Sequence, residues 1–220
     1  MKHVVNLLTS EFATHDTKRF TFEKPAGLEL KPGEAAMVAI NRPELEDDLH
    51  PFTPTSLKED RVLEFIIKEY PDHHGMTEKL HKLVPGDEIV IKGTYGAIVY
   101  KRPGVFIAGG TGITPFIAIF RRLKRDGKLA GNALLFSNKT HDDIILEREL
   151  RNYLGSNCIF TLTREKRAGY DNRRIDEAYL KEKISDFDQE FYLCGPPNFV
   201  EELAQVLQTL GASANHVIFD

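Results

Sequence analysis

The stretch at residues 105–116, VFIAGGTGITPF, constrains this chain more than any other. Val105, Phe106, Ile107 and Ala108 form the short apolar run of a strand buried on both faces, and Gly109, Gly110 and Gly112 follow almost without side chains. Such a turn lets backbone N–H groups approach an anion. A helix beginning near Pro115, which suits a first turn because no N–H is required there, would aim the positive end of its dipole at the same spot. Strand, glycine turn and helix together predict the opening unit of a parallel α/β domain. The same glycines would also serve as a plain tight connection, so the neighbouring residues must decide between the two uses.

The rest of the second half continues that pattern. After Arg102-Pro103-Gly104, a natural linker, apolar strands are expected at 105–108, 133–137, 158–162, 191–194 and 216–219, with helices at 115–125, 143–153, 176–183 and 197–210. Alternating strands and helices predict a parallel sheet covered on both faces, whose ligands bind beyond the carboxyl ends of the strands. By that rule the segment YLCGPP, ending at Pro197, faces the same crevice as the glycine turn. The first half reads differently. Short strands at 3–8, 17–22, 35–40, 61–69 and 88–92, separated by Pro32-Gly33 and Pro85-Gly86, with one helix at 77–83, predict a small antiparallel barrel with a capping helix. The expected domains are therefore 1–100 and 103–220.

Composition narrows the chemistry. A formal net charge of -4 argues against a nucleic-acid binder, which normally carries a strongly basic domain. Only Cys158 and Cys194 are present, too few for a disulfide framework, a four-thiolate metal site or an iron–sulfur cluster, and this fits a reducing cytoplasm. Asp72, His73 and His74 lack further ligands at metal-site spacing, so no metal is expected. No apolar run reaches membrane-spanning length and no signal-peptide core is evident.

Two segments of the first half exceed scaffolding. In HPFTPTS, from His50 to Ser56, Phe52 offers a flat face for an aromatic ring system and Thr53 a hydroxyl or N–H for its polar edge. In GMTEKL, Gly75, Met76 and Thr77 open a helix and supply donors for a diphosphate. These two, followed by GGTGITP and CGPP in this order, resemble the motifs of the ferredoxin–NADP reductase superfamily across nearly the whole chain. In that family an Arg-x-Tyr-Ser/Thr strand and a later Gly-x-Ser/Thr hold a flavin. Here His50 replaces the arginine and cannot grip bidentately, and Phe52 replaces the tyrosine.

The resemblance implies a six-stranded antiparallel FAD-binding barrel followed by a Rossmann-like α/β NAD(P)-binding domain. It implies that His50, Pro51, Phe52, Thr53, Gly75, Met76 and Thr77 contact FAD, with Lys68 at its pyrophosphate and Tyr70 at its adenine. Gly110, Thr111, Gly112 and Thr114 would line the nucleotide phosphates and ribose. Cys194, with Gly195 and Pro196, would sit beside the nicotinamide, and Phe219 would cover the flavin. Thr53 and Cys194 are the expected catalytic residues. Ser137, Asn138 and Lys139 offer no carboxylate for a ribose 2′-OH, whereas Thr163, Arg164 and Glu165 resemble the family's Ser-Arg-Glu, and Lys166, Arg173 and Arg174 add positive charge. NADPH is therefore expected ahead of NADH. The implied activity is hydride transfer from NAD(P)H to FAD and onward transfer to a separate carrier, ferredoxin or flavodoxin first. The reductase component of an oxygenase, and a non-catalytic nucleotide-binding subunit, are the alternatives. Arg121, Arg122, Lys124, Arg125 and Lys128 form a basic cluster that reads either as a solvated helix end or as a docking site for an acidic redox partner.

Overall fold

The computed structural model describes residues 2–70 and 74–219; Asp72 and His73, weighed above as metal ligands, lie outside them. The first half folds into six antiparallel strands: β1 (Lys2–Phe12), β2 (Thr17–Glu23), β3 (Glu34–Ile40), β4 (His50–Phe52), β5 (Val62–Lys68) and β6 (Glu88–Ala97), with one helix, α1 (Met76–His81). Their order is β4-β3-β6-β1-β2-β5. The two outer strands are joined by a bridge between Pro54 and Phe65, which closes the sheet on itself. Alternation fills the interior: Val5, Leu7, Phe20, Phe22, Val38, Ile40, Leu63, Phe65 and Ile67 pack together, and α1 plugs one end with Met76 and Leu80. Removing such strand positions from water is what drives closure, at roughly 25 cal/mol per Å² of apolar surface.

The second half is a five-stranded parallel sheet: β7 (Gly104–Gly109), β8 (Ala133–Asn138), β9 (Cys158–Leu162), β10 (Glu190–Cys194) and β11 (Val217–Phe219). The order β11-β10-β7-β8-β9 means that the chain builds outward from β7 on one side and then returns to its other side. The strand direction of build-up therefore reverses between β7 and β10, and a crevice opens beyond their carboxyl ends. Helices α2 (Thr114–Arg125) and α3 (Glu147–Leu154) cover one face, while α4 (Glu177–Lys183) and α5 (Pro197–Thr209) cover the other. In α2, Phe116, Ile117, Phe120 and Leu123 recur at helical spacing and form the stripe that packs on the sheet.

Two expectations change. The helix anticipated over 143–153 is broken: Thr140 and Asp143 close a capping box around a single 3₁₀ turn, Leu146 takes a left-handed φ of 51°, and only then does α3 begin. The Asp143 carboxylate accepts from the Thr140 hydroxyl at 2.6 Å and its N–H at 2.9 Å, so the side chain that would start the helix folds back instead. The basic cluster on α2 is also largely committed within the molecule. Arg122 reaches both Glu59 oxygens at 2.6 Å, Arg125 lies 3.7 Å from Glu59, and Arg121 pairs with Glu64 at 2.7 Å, so the barrel's own carboxylates take up these arginines.

The domains are welded along one strand face. On β5, Leu63, Phe65 and Ile67 point into the barrel, whereas Ile66 joins the apolar cluster of Phe116 and Phe120. Its neighbours on that outward face, Glu64 and Lys68, pair with Arg121 and Asp143 of the second domain. The linker is pinned as well, because the Tyr192 hydroxyl accepts from the Lys101 and Arg102 N–H groups and donates to the Arg102 carbonyl at 2.8 Å.

Candidate active site

A cavity of about 760 Å³ lies at the crevice predicted by the strand order. Its floor is the glycine turn. After β7 the chain enters a 3₁₀ turn, Gly110–Ile113, and runs straight into α2; the Thr114 N–H is taken by the Thr111 carbonyl and Pro115 has none, so the donors left without a partner in the turn are the N–H groups at its start, from Gly110 onward. Gly110 has a φ of +53°, a backbone conformation few side chains tolerate. Gly112 is required by a close approach: an added Cβ would lie 2.6 Å from the Gly195 nitrogen and closer still to the Cys194 carbonyl. The phosphate turn and the loop after β10 are therefore one packed unit.

The cavity brings together Lys68, Tyr70, Gly110, Thr111, Gly112, Cys194, Gly195 and Pro196. Thr114 is spent locally, its hydroxyl donating to the Thr111 carbonyl at 3.1 Å. Lys68 does not stand open to a flavin diphosphate. It is held by Asp16 and reaches toward Asp143, and although its burial would lower its pKa, hydrogen bonds and charge from these two carboxylates raise it overall. Burial raises Cys158 in the sheet, pushed up to about 12, so this thiol is a packing residue, whereas Cys194 is partly accessible at the cavity.

One residue in this cavity carries a signal the sequence alone does not give. Asn138 is 5% exposed and lines the cavity, yet both of its amide atoms lack a partner among the described residues; the buried Thr161 hydroxyl on β9 lacks one too. Buried polar atoms left unpaired cost about 1–3 kcal/mol each, so an orphaned amide at a cavity marks a place where a bound polar group completes the site. A nicotinamide dinucleotide fits this donor set: backbone N–H groups for its diphosphate, an amide donor and acceptor for its sugar hydroxyls, and an apolar wall of Pro196, Pro197 and Phe199.

The flavin motifs lie outside the lining of that cavity. His50, Pro51 and Phe52 form β4, paired antiparallel to β3, and Phe52 is half-buried against the barrel core. The Thr53 and Thr77 hydroxyls have no partner among the described residues, and α1 follows its N-cap Gly75 without a side-chain cap. That donor set fits FAD. Two positions narrow it: Met76 is 3% exposed and offers only backbone, and the His50 Nε2 lies 2.9 Å from Asp48 Oδ1, a carboxylate beside the position where a phosphate is expected. Phe219 is 54% exposed at the end of β11, where its strand neighbour is Leu193, next to Cys194.

The basic residues divide. Arg173 is held by Glu182 at 3.0 Å and Asp176 at 3.3 Å, and Arg174 by Glu202 at 3.4 Å. Lys139 and Thr163 line the cavity, and the backbone N–H of the exposed Arg164 donates to the Lys139 carbonyl, which joins the ends of β8 and β9.

Comparison with known proteins covers both halves. The family model described as an oxidoreductase FAD-binding domain matches residues 4–100, and that described as an oxidoreductase NAD-binding domain matches residues 106–205. NADH–cytochrome b5 reductase 1 of Arabidopsis thaliana is 30% identical over 220 residues, spanning 91% of this chain and 77% of that protein. NADH-cytochrome b5 reductase 2 of Rattus norvegicus is 28% identical over 254 residues, spanning 96% and 91%. Among solved structures, a ferredoxin NADP+ reductase from Neisseria gonorrhoeae with bound FAD and NADP superposes with a TM-score of 0.84 at 18% identity, over 100% of this chain and 98% of that one.

Proposed function

Because this chain belongs to the ferredoxin–NADP reductase superfamily, we propose that it draws electrons from NADPH through FAD and delivers them to a separate one-electron carrier of the cytochrome b5 kind. Its class is that of an NAD(P)H-dependent flavin oxidoreductase. The observation that carries the reading is the packing of Gly112 on the Cys194 loop, which sets the anion-accepting turn and the thiol side by side in one cavity. When bound, FAD would supply what nicotinamide lacks, the capacity to take up an electron pair and give the electrons up one at a time.

The protein's own part is alignment. Turn N–H groups from Gly110 to Gly112 hold the diphosphate, Asn138 takes a sugar hydroxyl, and the Cys194 sulfur, small and polarisable, meets the reacting ring without solvating it. Thr53 would donate to the polar edge of the flavin, and Phe52 would support its face. Preference for NADPH rests on Lys139, Thr163 and Arg164; Arg173 and Arg174 contribute less because carboxylates already hold them. The carrier is taken from the names of the curated relatives, which are cytochrome b5 reductases, and so it replaces the ferredoxin or flavodoxin anticipated from sequence.

Steady-state reduction of cytochrome b5, ferredoxin and flavodoxin, each with NADPH and with NADH, tests both choices. The expected result is the highest kcat/KM with NADPH and cytochrome b5. A higher value with NADH sinks the nucleotide preference, and a higher value with ferredoxin or flavodoxin sinks the carrier.

A further inference from the structure

One helix touches both halves of the reaction. α2 starts at the turn that takes the nucleotide phosphates, and Arg121 lies about 10 Å further along it at 1.5 Å per residue. The Arg121 Nε and Nη2 donate to the two carboxylate oxygens of Glu149 on α3, at 2.7 and 3.0 Å. Its Nη1 crosses to the barrel, donating to Glu64 Oε1 at 2.7 Å and to the Thr55 carbonyl at 3.0 Å.

The place it grips is the seam that closes the barrel. Between β4 and β5 the Thr55 N–H donates to the Glu64 carbonyl at 2.9 Å, the Thr55 hydroxyl to the Glu64 carboxylate at 2.6 Å, and the Glu64 N–H to Ser56 Oγ at 2.9 Å. Thr53, the residue assigned to the flavin edge, leads directly into this seam through Pro54. Thr55 is fully buried, so the segment cannot shift without breaking these bonds.

We propose that Arg121 is a positioning residue for hydride transfer: it fixes the Thr53–Thr55 segment of the barrel relative to the phosphate turn at the head of its own helix, and so sets the alignment of the two rings. This rests on the functional reading above. Only a guanidinium spans the three acceptors at once, because its planar fork donates in several fixed directions while an ammonium does not. The arrangement is directional: Glu149 anchors the arginine within its own domain, and Glu64 with Thr55 carries the contact between domains.

The test compares Arg121→Gln, Arg121→Lys and Glu64→Gln in the FAD-loaded protein. Three quantities are read: the rate of flavin reduction on mixing with NADPH or NADH, the long-wavelength charge-transfer absorbance of nicotinamide stacked on flavin, and amide hydrogen exchange over 53–56 without nucleotide. A displacement near 1 Å slows such a reaction up to about a hundredfold, so a loss on the order of tenfold to a hundredfold in the reduction rate is expected, with nucleotide affinity largely kept. The charge-transfer band should weaken, the Thr55 amide should exchange faster, and lysine should not restore the rate.

Wild-type reduction rate and charge-transfer intensity in Glu64→Gln, which is isosteric and carries the test if Arg121→Gln does not fold, would overturn the proposal. So would a loss confined to melting temperature, since that is all a purely stabilising arginine would give. If neither nucleotide reduces the wild-type flavin, the functional reading itself fails, and unchanged exchange at Thr55 in the variants then refutes the grip on the seam separately.

Discussion

Replacing Gly112 with alanine isolates the contact on which the nucleotide site depends. The new Cβ would stand 2.6 Å from the Gly195 nitrogen and nearer to the Cys194 carbonyl, all backbone atoms that no rotamer change can move away. Restoring an ordinary separation of roughly 3.5 Å requires the two loops to part by about 1 Å. Overpacking of this kind costs about 1–3 kcal/mol in stability, and a misplacement of ~1 Å at a reacting centre costs up to about a hundredfold in rate. Gly110→Ala is the control. Its φ of +53° makes alanine strained, but its Cβ would meet nothing within 4 Å, so the strain of roughly 1–2 kcal/mol falls on stability without spreading the loops. Stopped-flow reduction of the flavin, with thermal melting alongside, separates the two. Gly112→Ala should lose more rate than Gly110→Ala at similar melting temperature; equal rates in both variants would refute the idea that this packing aligns the nicotinamide.

Other consequences are as direct. Burial holds the Cys158 thiol up at about 12 while Cys194 is partly accessible, so a thiol reagent at pH 8 should label Cys194 alone in the native protein, and nucleotide should slow that labelling; peptide mapping that finds Cys158 modified first would contradict it. Burial alone would raise the Glu149 carboxyl from its ordinary value near 4.5, but the Arg121 hydrogen bonds and charge outweigh it and lower the pKa. Asp143 is likewise lowered, with hydrogen bonds from Thr140 outweighing its burial. Their stabilising effect is therefore complete above the ordinary carboxylate range and is lost as pH falls through the depressed values; melting temperature should drop steeply below about pH 4, and Glu149→Gln should flatten that drop. Arg164→Ala should lower kcat/KM for NADPH several-fold, about 1 kcal/mol for an exposed charge–phosphate contact, while leaving NADH nearly unchanged; equal losses for both nucleotides would remove Arg164 from the 2′-phosphate.

The fold was legible wherever one physical requirement governed a whole segment. Strand-helix alternation after Pro103 and short alternating strands before it follow from burial on two faces and one face respectively, and both sheets have that form. The glycine turn and CGPP were legible because close backbone approach excludes side chains, as Gly112 illustrates. What was hidden depends on contacts between distant segments. Arg121, Arg122 and Arg125 read as a helix-end cluster, since nothing local reveals that Glu59 and Glu64 of the barrel receive them. The alternation in LEFIIK held a clue: Leu63, Phe65 and Ile67 fill the barrel, leaving Glu64, Ile66 and Lys68 together on a face that had to meet something. Asn138 was passed over because an orphaned amide is defined by its surroundings. Helix 143–153 failed because Asp143 caps a turn instead of starting a helix.

Hydride passing between nicotinamide in the cavity and FAD on the barrel is what anaerobic titration of the FAD-loaded protein with NADPH, followed by visible absorbance, would show. Stoichiometric bleaching of the flavin, with NADH acting more weakly, is the predicted result. Flavin that dithionite bleaches but neither nucleotide does would rule out hydride transfer between the two sites.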